Sequence, residues 1–129
     1  TTDGLIWMNR YANTNSLYYR YRNDAGGQWI YIYDLFKNLD SQYIYIVAEC
    51  DYNNKTLKIY RNGVRFDVTK NLLGAPQFPS TGRVKYIGAY NTSLHKLADS
   101  SIDEVRIYNR GLSAEEVSSI YNATKSKYQ

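Results

Sequence analysis

The segment SSIDEVRIYNRGLSAEEVSSIYN, residues 100–122, places a strand pattern directly before a helix pattern. Val105 and Ile107 alternate with charged and polar residues, which is the period of two expected of a half-buried strand. Asn109, Arg110 and Gly111 end this alternation with residues that favour turns. The segment therefore predicts a strand over Ser101–Asn109.

The second half of the segment predicts a short amphipathic helix. Ser113 is a good N-cap, and Glu116, three residues later, completes the signature of a capping box. An apolar stripe at spacings of three and four residues follows, formed by Val117, Ile120 and Tyr121. A single short helix is thus expected near the end of the chain.

The rest of the chain consists mainly of short alternating segments separated by turn signals. Asn62-Gly63 is the strongest hairpin signal and predicts a type I′ turn. Residues 71–80 contain both prolines and are expected to form a long connection. Short antiparallel strands at this spacing predict an all-β, two-sheet β-sandwich over residues 1–123, followed by a flexible tail at 124–129. The predicted strands are Leu5–Tyr11, Ser16–Arg22, Gln28–Asp34, Tyr43–Cys50, Leu57–Arg61, Val64–Asp67, Gly82–Ala89 and Ser101–Asn109.

Composition limits the classes of function. A chain of 129 residues is long enough to form one core without disulfides, and its single cysteine, Cys50, excludes a disulfide within it. No apolar run reaches the length of a membrane span. The net charge of +4 is spread along the sequence, which is typical of a solvated surface.

Fifteen tyrosines are the unusual feature of the composition. Around residue 30 the alternation places Trp29, Tyr31 and Tyr33 on one face of a strand. Ile30 and Ile32 lie on the other face, which we expect to be the core. The pattern predicts a sheet with one aliphatic and one aromatic face.

The preceding strand shows a similar alternation, with tyrosines on both of its faces. Leu17, Tyr19 and Tyr21 share one face, opposite Tyr18, Arg20 and Arg22. An exposed aromatic face could simply cover the sheet, stack on sugar rings or contact another protein, since tyrosine combines apolar area with a polar tip. The candidate ligand-binding residues are Tyr19, Tyr21, Trp29, Tyr31, Tyr33, Arg20 and Arg22.

A catalytic site is not expected. The chain has only four glutamates, and a retaining glycosidase needs two carboxyl groups about 5–5.5 Å apart. Glu49 and Asp51 alternate on a strand without a third acid, and Glu115 and Glu116 belong to the helix start. His95, the one histidine, falls in a predicted loop, so no catalytic triad is indicated.

Nucleic-acid binding is also disfavoured. Arg20, Tyr21 and Arg22, next to Tyr18, have the basic and aromatic character of a single-strand platform. The net charge is modest, however, and the alternative of arginines stacked on tyrosines at a solvated edge explains the same residues.

Three stretches together resemble LamG-like jelly-roll domains of the concanavalin A-like lectin/glucanase superfamily. Residues 100–122 resemble the closing motif of that family. Leu57–Val64, LKIYRNGV, resembles its LxLYVNGV hairpin, and Gly82–Gly88, GRVKYIG, resembles its strand ending in Ile-Gly. The resemblance implies a jelly-roll sandwich. Because the family binds carbohydrates, mediates adhesion and supplies structural modules, it leaves the function open.

Members of this family begin with strands that have no counterpart here. The resemblance therefore implies a fragment, a cleaved product, a shortened variant or a sheet completed by another subunit. An open strand edge is a site for pairing. We expect a protein partner or neighbouring subunit to complete the sheet.

Metal and glycan attachment are weaker expectations. No cofactor is required. The resemblance implies that a structural Ca²⁺ could bind at Asp103, with Asp99 nearby, although a local contact with the backbone is the favoured explanation of Asp103. Sequons at Asn54, Asn91 and Asn122 are candidate glycosylation sites, each expected in a loop or in the tail.

These observations favour a non-catalytic recognition or adhesion module whose ligand is a glycan or cell-surface polymer. The alternative is a structural subunit of an extracellular filament, pilus or capsid, in which the aromatic face and the incomplete sheet are subunit contacts. Either function implies an extracellular, cell-surface or virion-surface location.

Overall fold

The computed structural model describes residues 6–10, 15–24, 26–39, 42–66, 70–75, 87 and 101–128. These residues form two antiparallel sheets and one α-helix. The elements are β1 (Ile6–Arg10), β2 (Leu17–Tyr21), β3 (Gln28–Ile32), β4 (Ile46–Asp51), β5 (Thr56–Arg61), β6 (Val64–Arg65), β7 (Lys70–Asn71), α1 (Ala114–Thr124) and a 3₁₀ turn, Lys125–Lys127. Within those ranges, no helix is both long and apolar enough to cross a membrane.

The first sheet has the order β1-β2-β3. In the second sheet β5 pairs with β4 along one edge and with β6 and β7 along the other. The mostly antiparallel architecture with one C-terminal helix confirms the predicted sandwich class.

The main core lies between the two sheets. Alternating residues of β2, β3 and β5 provide its largest side chains, and the connections after β3 and β7 add Leu35 and Leu72, which are 0% and 2% exposed. Burial of such side chains is the main source of stability in a sandwich. The buried members from the strands are Leu17, Tyr19, Ile30, Ile32, Leu57 and Ile59.

Helix α1 covers part of the other face of the second sheet. Val117 is fully buried there and packs with Tyr60 and Leu112. The predicted capping box is present: the Ser113 amide donates to a Glu116 carboxylate oxygen at 2.8 Å, and the Glu116 amide donates to Ser113 Oγ at 3.1 Å. The predicted helix start is thus confirmed.

The β5–β6 hairpin holds the helix close to the sheet. Asn62 and Gly63 have φ angles of +52° and +80°, which confirms the predicted turn with two left-handed residues. Asn62 also contacts the segment before β4. Its side-chain Oδ1 accepts from the Tyr45 backbone amide at 3.0 Å, and its own backbone amide donates to Tyr45 O at 2.9 Å. The turn therefore connects three parts of the second sheet.

One prediction about the end of the chain is wrong. Residues 101–108 form no ladder with the described strands, and Ile107 is 88% exposed, so the strand over Ser101–Asn109 is not observed. Glu104 has a φ of +54°, which interrupts the expected alternation. Within the segment 124–129, where we expect a flexible tail, residues 125–127 form the 3₁₀ turn, and the Tyr128 ring forms a tilted pair with Tyr43 at 4.6 Å between centroids. The predicted strand Gly82–Ala89 lies outside the described residues except for Ile87.

Candidate functional site

The outer face of the first sheet has a continuous row of aromatic and guanidinium groups. The β2–β3 register sets it, because Tyr18 pairs with Tyr31 and Arg20 pairs with Trp29. Residues that pair across a ladder point to the same face. We call Arg20, Trp29, Tyr18, Tyr31 and Tyr33 the aromatic row.

The rings of this row stack in sequence. Tyr18 lies between its two neighbours, with centroids 4.6 Å from Trp29 and 5.4 Å from Tyr31 and interplanar angles of 26° and 15°. Tyr31 continues the row to Tyr33 at 6.3 Å. At the other end the guanidinium carbon of Arg20 lies 4.5 Å from the centre of the Trp29 ring. The row is therefore preorganised by the strands beneath it.

Stacking determines which surfaces of the row remain open. Rings that cover one another leave mainly their edges to solvent, so within the described row the end ring is the one whose face is most open. Tyr33 is 70% exposed and Trp29 is 39% exposed, whereas Tyr18 and Tyr31 are half-buried. A ligand can thus reach the Tyr33 ring and the outer edges of the row.

Tyr19 does not belong to this surface. It lies opposite Ile30, is 0% exposed and its hydroxyl shares a hydrogen bond with Cys50 Sγ. Burial raises the pKa of the Cys50 thiol, so Cys50 is a protonated, half-buried member of the core rather than a nucleophile. The expectation that Tyr19 contacts a ligand is therefore corrected.

The other residues of the candidate set occupy different positions. Tyr21 ends β2 opposite Gln28, and the structure does not describe its side chain. Arg22 follows the strand and is half-buried. Tyr18 was not in the predicted set, although its alternation with the apolar Leu17 was a signal that it faces outward.

The acidic residues that we considered for catalysis have structural contacts. The Glu49 carboxylate is 10% exposed, accepts from Lys58 Nζ at 2.9 Å and from the Tyr60 hydroxyl at 3.4 Å. This ion pair lies across the β4–β5 register and explains why the pKa of Lys58 is raised. Glu115 and Glu116 occupy the first turn of the helix, as expected.

The weaker candidate sites have mixed outcomes. Asp103 accepts from the Tyr128 hydroxyl at 2.6 Å and from the Glu104 amide at 2.7 Å, and the described residues include no His, Cys, Asp and Glu cluster suited to a metal. Asn54 lies in the turn after β4 and donates to Asp51 Oδ2 at 2.7 Å. Asn122 lies within α1 and not in a loop, which corrects that prediction. Asp99 and Asn91 lie outside the described residues.

Comparisons with known proteins agree with this architecture. No curated protein matches the chain. A solved S-layer domain-containing protein from Clostridium thermocellum ATCC 27405 has a similar structure, with a TM-score of 0.54 and 16% identity over 94% of this chain. The chain spans 65% of that structure, and at this identity the likeness shows the fold alone. A family model for the concanavalin A-like lectin/glucanases superfamily matches residues 1–118, and this chain therefore belongs to that superfamily.

Proposed function

We propose that this chain is a non-catalytic recognition module of a cell or particle surface that binds a carbohydrate polymer along the aromatic row. The observation that carries the proposal is the row itself, a set of preorganised rings on the outer face of a sheet whose other face is the core. Aromatic surfaces with polar tips suit sugars, which present both C–H faces and hydroxyl groups.

The geometry of the row favours a particular mode of contact. The open ring of Tyr33 offers a face on which one sugar could stack, and the edges of the stacked rings offer shallow apolar contact along the strands. The guanidinium of Arg20 lies over the Trp29 ring at the opposite end of the described row. An extended chain lying over several rings fits this row better than a small enclosed ligand does.

A glycan array with two matched variants tests the proposal. Tyr33→Ala removes the most open ring of the row, and Val64→Ala removes a side chain of similar exposure, 69%, from the other sheet. We expect Tyr33→Ala to weaken polysaccharide binding about tenfold, the effect of losing one aromatic contact of 1–2 kcal/mol, and Val64→Ala to leave it unchanged. Equal binding by both variants, or silence of the wild type on the array, would contradict the proposal.

A second function is favoured by a different observation. Apolar side chains in residues 101–108 are exposed, with Ile102, Val105 and Ile107 at 48%, 52% and 88%. Exposed apolar clusters often mark contacts between proteins. The alternative is therefore a structural subunit of an extracellular filament, pilus or capsid, with this segment and the aromatic row as contacts, and the likeness to an S-layer domain-containing protein is compatible with it.

Sedimentation at increasing protein concentration separates the two proposals. A structural subunit should assemble as concentration rises, and Ile107→Asp should abolish assembly. A recognition module should remain the same size and bind the array. Glycan binding without assembly would remove the structural alternative, and assembly without glycan binding would remove the recognition proposal.

A further inference from the structure

A cleft of 360 Å³ lies far along the chain from the aromatic row, where the segment before β4 meets the end of α1. Its walls come from three parts of the chain, which are residues 42–45 with Asn62, then Asp103 and Glu104, and finally Tyr121, Thr124, Lys125 and Tyr128. A volume of this size lies within the range of small-molecule sites.

Hydrogen bonds, an ion pair and ring packing hold the walls of the cleft. Tyr45 is held by its two hydrogen bonds with Asn62, and Tyr121 packs on the neighbouring Gly63. The far wall is fastened by the Tyr128 hydroxyl, which donates to Asp103 at 2.6 Å, and by Lys127 Nζ, which binds Glu104 at 2.6 Å. The segment expected to be a flexible tail is therefore one side of a cavity.

Aromatic rings supply much of the lining. Tyr43 and Tyr128 form one tilted pair with centroids 4.6 Å apart, and Tyr45 and Tyr121 form another at 6.0 Å. Four rings in so small a space provide the apolar surface that the C–H faces of a sugar require.

The polar groups of the lining include both donors and acceptors. The carboxylate of Asp103 accepts hydrogen bonds, the ammonium of Lys125 donates them, and the amide of Gln42 does both. The described ionic groups around the cleft give no excess of negative charge. The Glu104 carboxylate is paired with Lys127 at 2.6 Å and with Arg106 at 2.7 Å.

We propose that this cleft is a second carbohydrate site, which takes a neutral monosaccharide unit or the end of a glycan chain. A polyhydroxylated ring both donates and accepts hydrogen bonds, as the lining does. An ammonium ligand is the main competitor for a tyrosine-lined site, but it accepts no hydrogen bonds, and Lys125 Nζ already lies 5.7 Å from the Tyr121 ring. The site is separate from the aromatic row, so its existence does not depend on binding there.

The test is an NMR titration of the ¹⁵N-labelled chain with glucose, galactose, mannose and N-acetylglucosamine in turn, and with tetramethylammonium as the cationic probe. We expect at least one sugar to cause saturable shifts in the amides of residues 42–45 and 121–128, with a Kd on the order of 1 mM. No saturable shift with any of the four sugars, or saturation by tetramethylammonium alone, would overturn the proposal.

Three variants assign the binding to the cleft. Tyr43→Ala removes a ring that is 53% exposed and should weaken the sugar about tenfold without unfolding the domain. Tyr128→Phe keeps the ring but removes its hydrogen bond to Asp103, and should weaken the sugar less. Trp29→Ala, in the aromatic row, should leave the affinity of the cleft for the sugar unchanged. Binding that survives Tyr43→Ala but is lost in Trp29→Ala would overturn the cleft proposal while supporting the aromatic row.

Discussion

Gly63→Ala tests how the hairpin positions the helix. Gly63 has a φ of +80°, and a Cβ at this position would lie 2.8 Å from Cδ1 of Tyr121 and 3.0 Å from its Cβ. Alanine would therefore face two penalties, one from its own backbone and one from the ring that packs on the turn. Since Tyr121 also lines the cleft, the substitution bears on both stability and binding.

The magnitude follows from these two contributions. A non-glycine residue in the left-handed region costs about 1–2 kcal/mol. Forcing extra volume into a packed contact costs about 1–3 kcal/mol, and the half-buried Tyr121 ring can shift, which favours the lower part of that range. We expect Gly63→Ala to lower the free energy of unfolding by about 3 kcal/mol.

Urea denaturation followed by far-UV circular dichroism measures this loss. Gly26→Ala is the control, because Gly26 has a φ of +106° but its added Cβ would meet no atom within 4 Å. In a Tyr121→Ala background, Gly63→Ala should cost only its backbone contribution of about 1–2 kcal/mol. If Gly63→Ala costs the same in both backgrounds, the steric reasoning is refuted.

Two further predictions concern stability. Asn23 is 3% exposed, and its side chain donates to Leu73 O at 2.6 Å and accepts from the Gly27 amide at 3.0 Å. Asn23→Ala should therefore lower the free energy of unfolding in urea by about 1–3 kcal/mol. Asn53→Ala, at an exposed position, is the control and should lower it by less than about 0.5 kcal/mol. The hydrogen bonds from Arg110 and from the Ser113 amide lower the pKa of Glu116 from 4.5 to about 2. Its stabilisation should be complete above pH 4.5 and disappear as pH falls towards 2, so thermal melts of wild type and Glu116→Gln should differ at pH 7 and converge near pH 2.

Local sequence patterns predicted the elements that interactions between neighbouring residues determine, namely the helix start and the hairpin turn. The capping box needed only Ser113 and Glu116, and the hairpin needed only Asn62 and Gly63, because each signal lies within four residues. The alternation around Ile30 and Ile32 also placed the core correctly, as both are 5% exposed or less. These features depend on backbone geometry that neighbouring residues determine.

The error at Tyr19 shows where residue type misled the interpretation. Tyr19 shares a strand face with Leu17, which indicates the core, but it was placed among the candidate ligand-binding residues because tyrosine combines apolar area with a polar tip. The core accommodates that hydroxyl because Cys50, on the facing strand β4, provides a hydrogen-bond partner. The partner is 31 residues away in sequence, so only the packing of one sheet on the other could reveal it.

The cleft could not have been predicted for a similar reason. Its walls are separated by about half of the chain, and each tyrosine in them has a simpler explanation when considered alone: Tyr121 fits the helix stripe, and Tyr128 falls in the expected tail. The Tyr128–Asp103 bond spans 25 residues, and no local pattern signals it. Sites that form between distant segments require the fold first.

The two aromatic surfaces differ in what holds their rings. In the aromatic row the spacing of about 4.8 Å between adjacent strands fixes the rings near stacking distance before any ligand arrives. One wall of the cleft depends instead on exposed side-chain contacts, the Tyr128–Asp103 hydrogen bond and the Lys127–Glu104 ion pair, and exposed pairs of this kind contribute little individually. A rigid row suits an extended polymer that meets many equivalent rings, because little ordering is needed on binding. Exposed contacts of this kind must be ordered when a ligand binds, so under the two proposals a sugar in the cleft should bind more weakly than a polymer on the aromatic row.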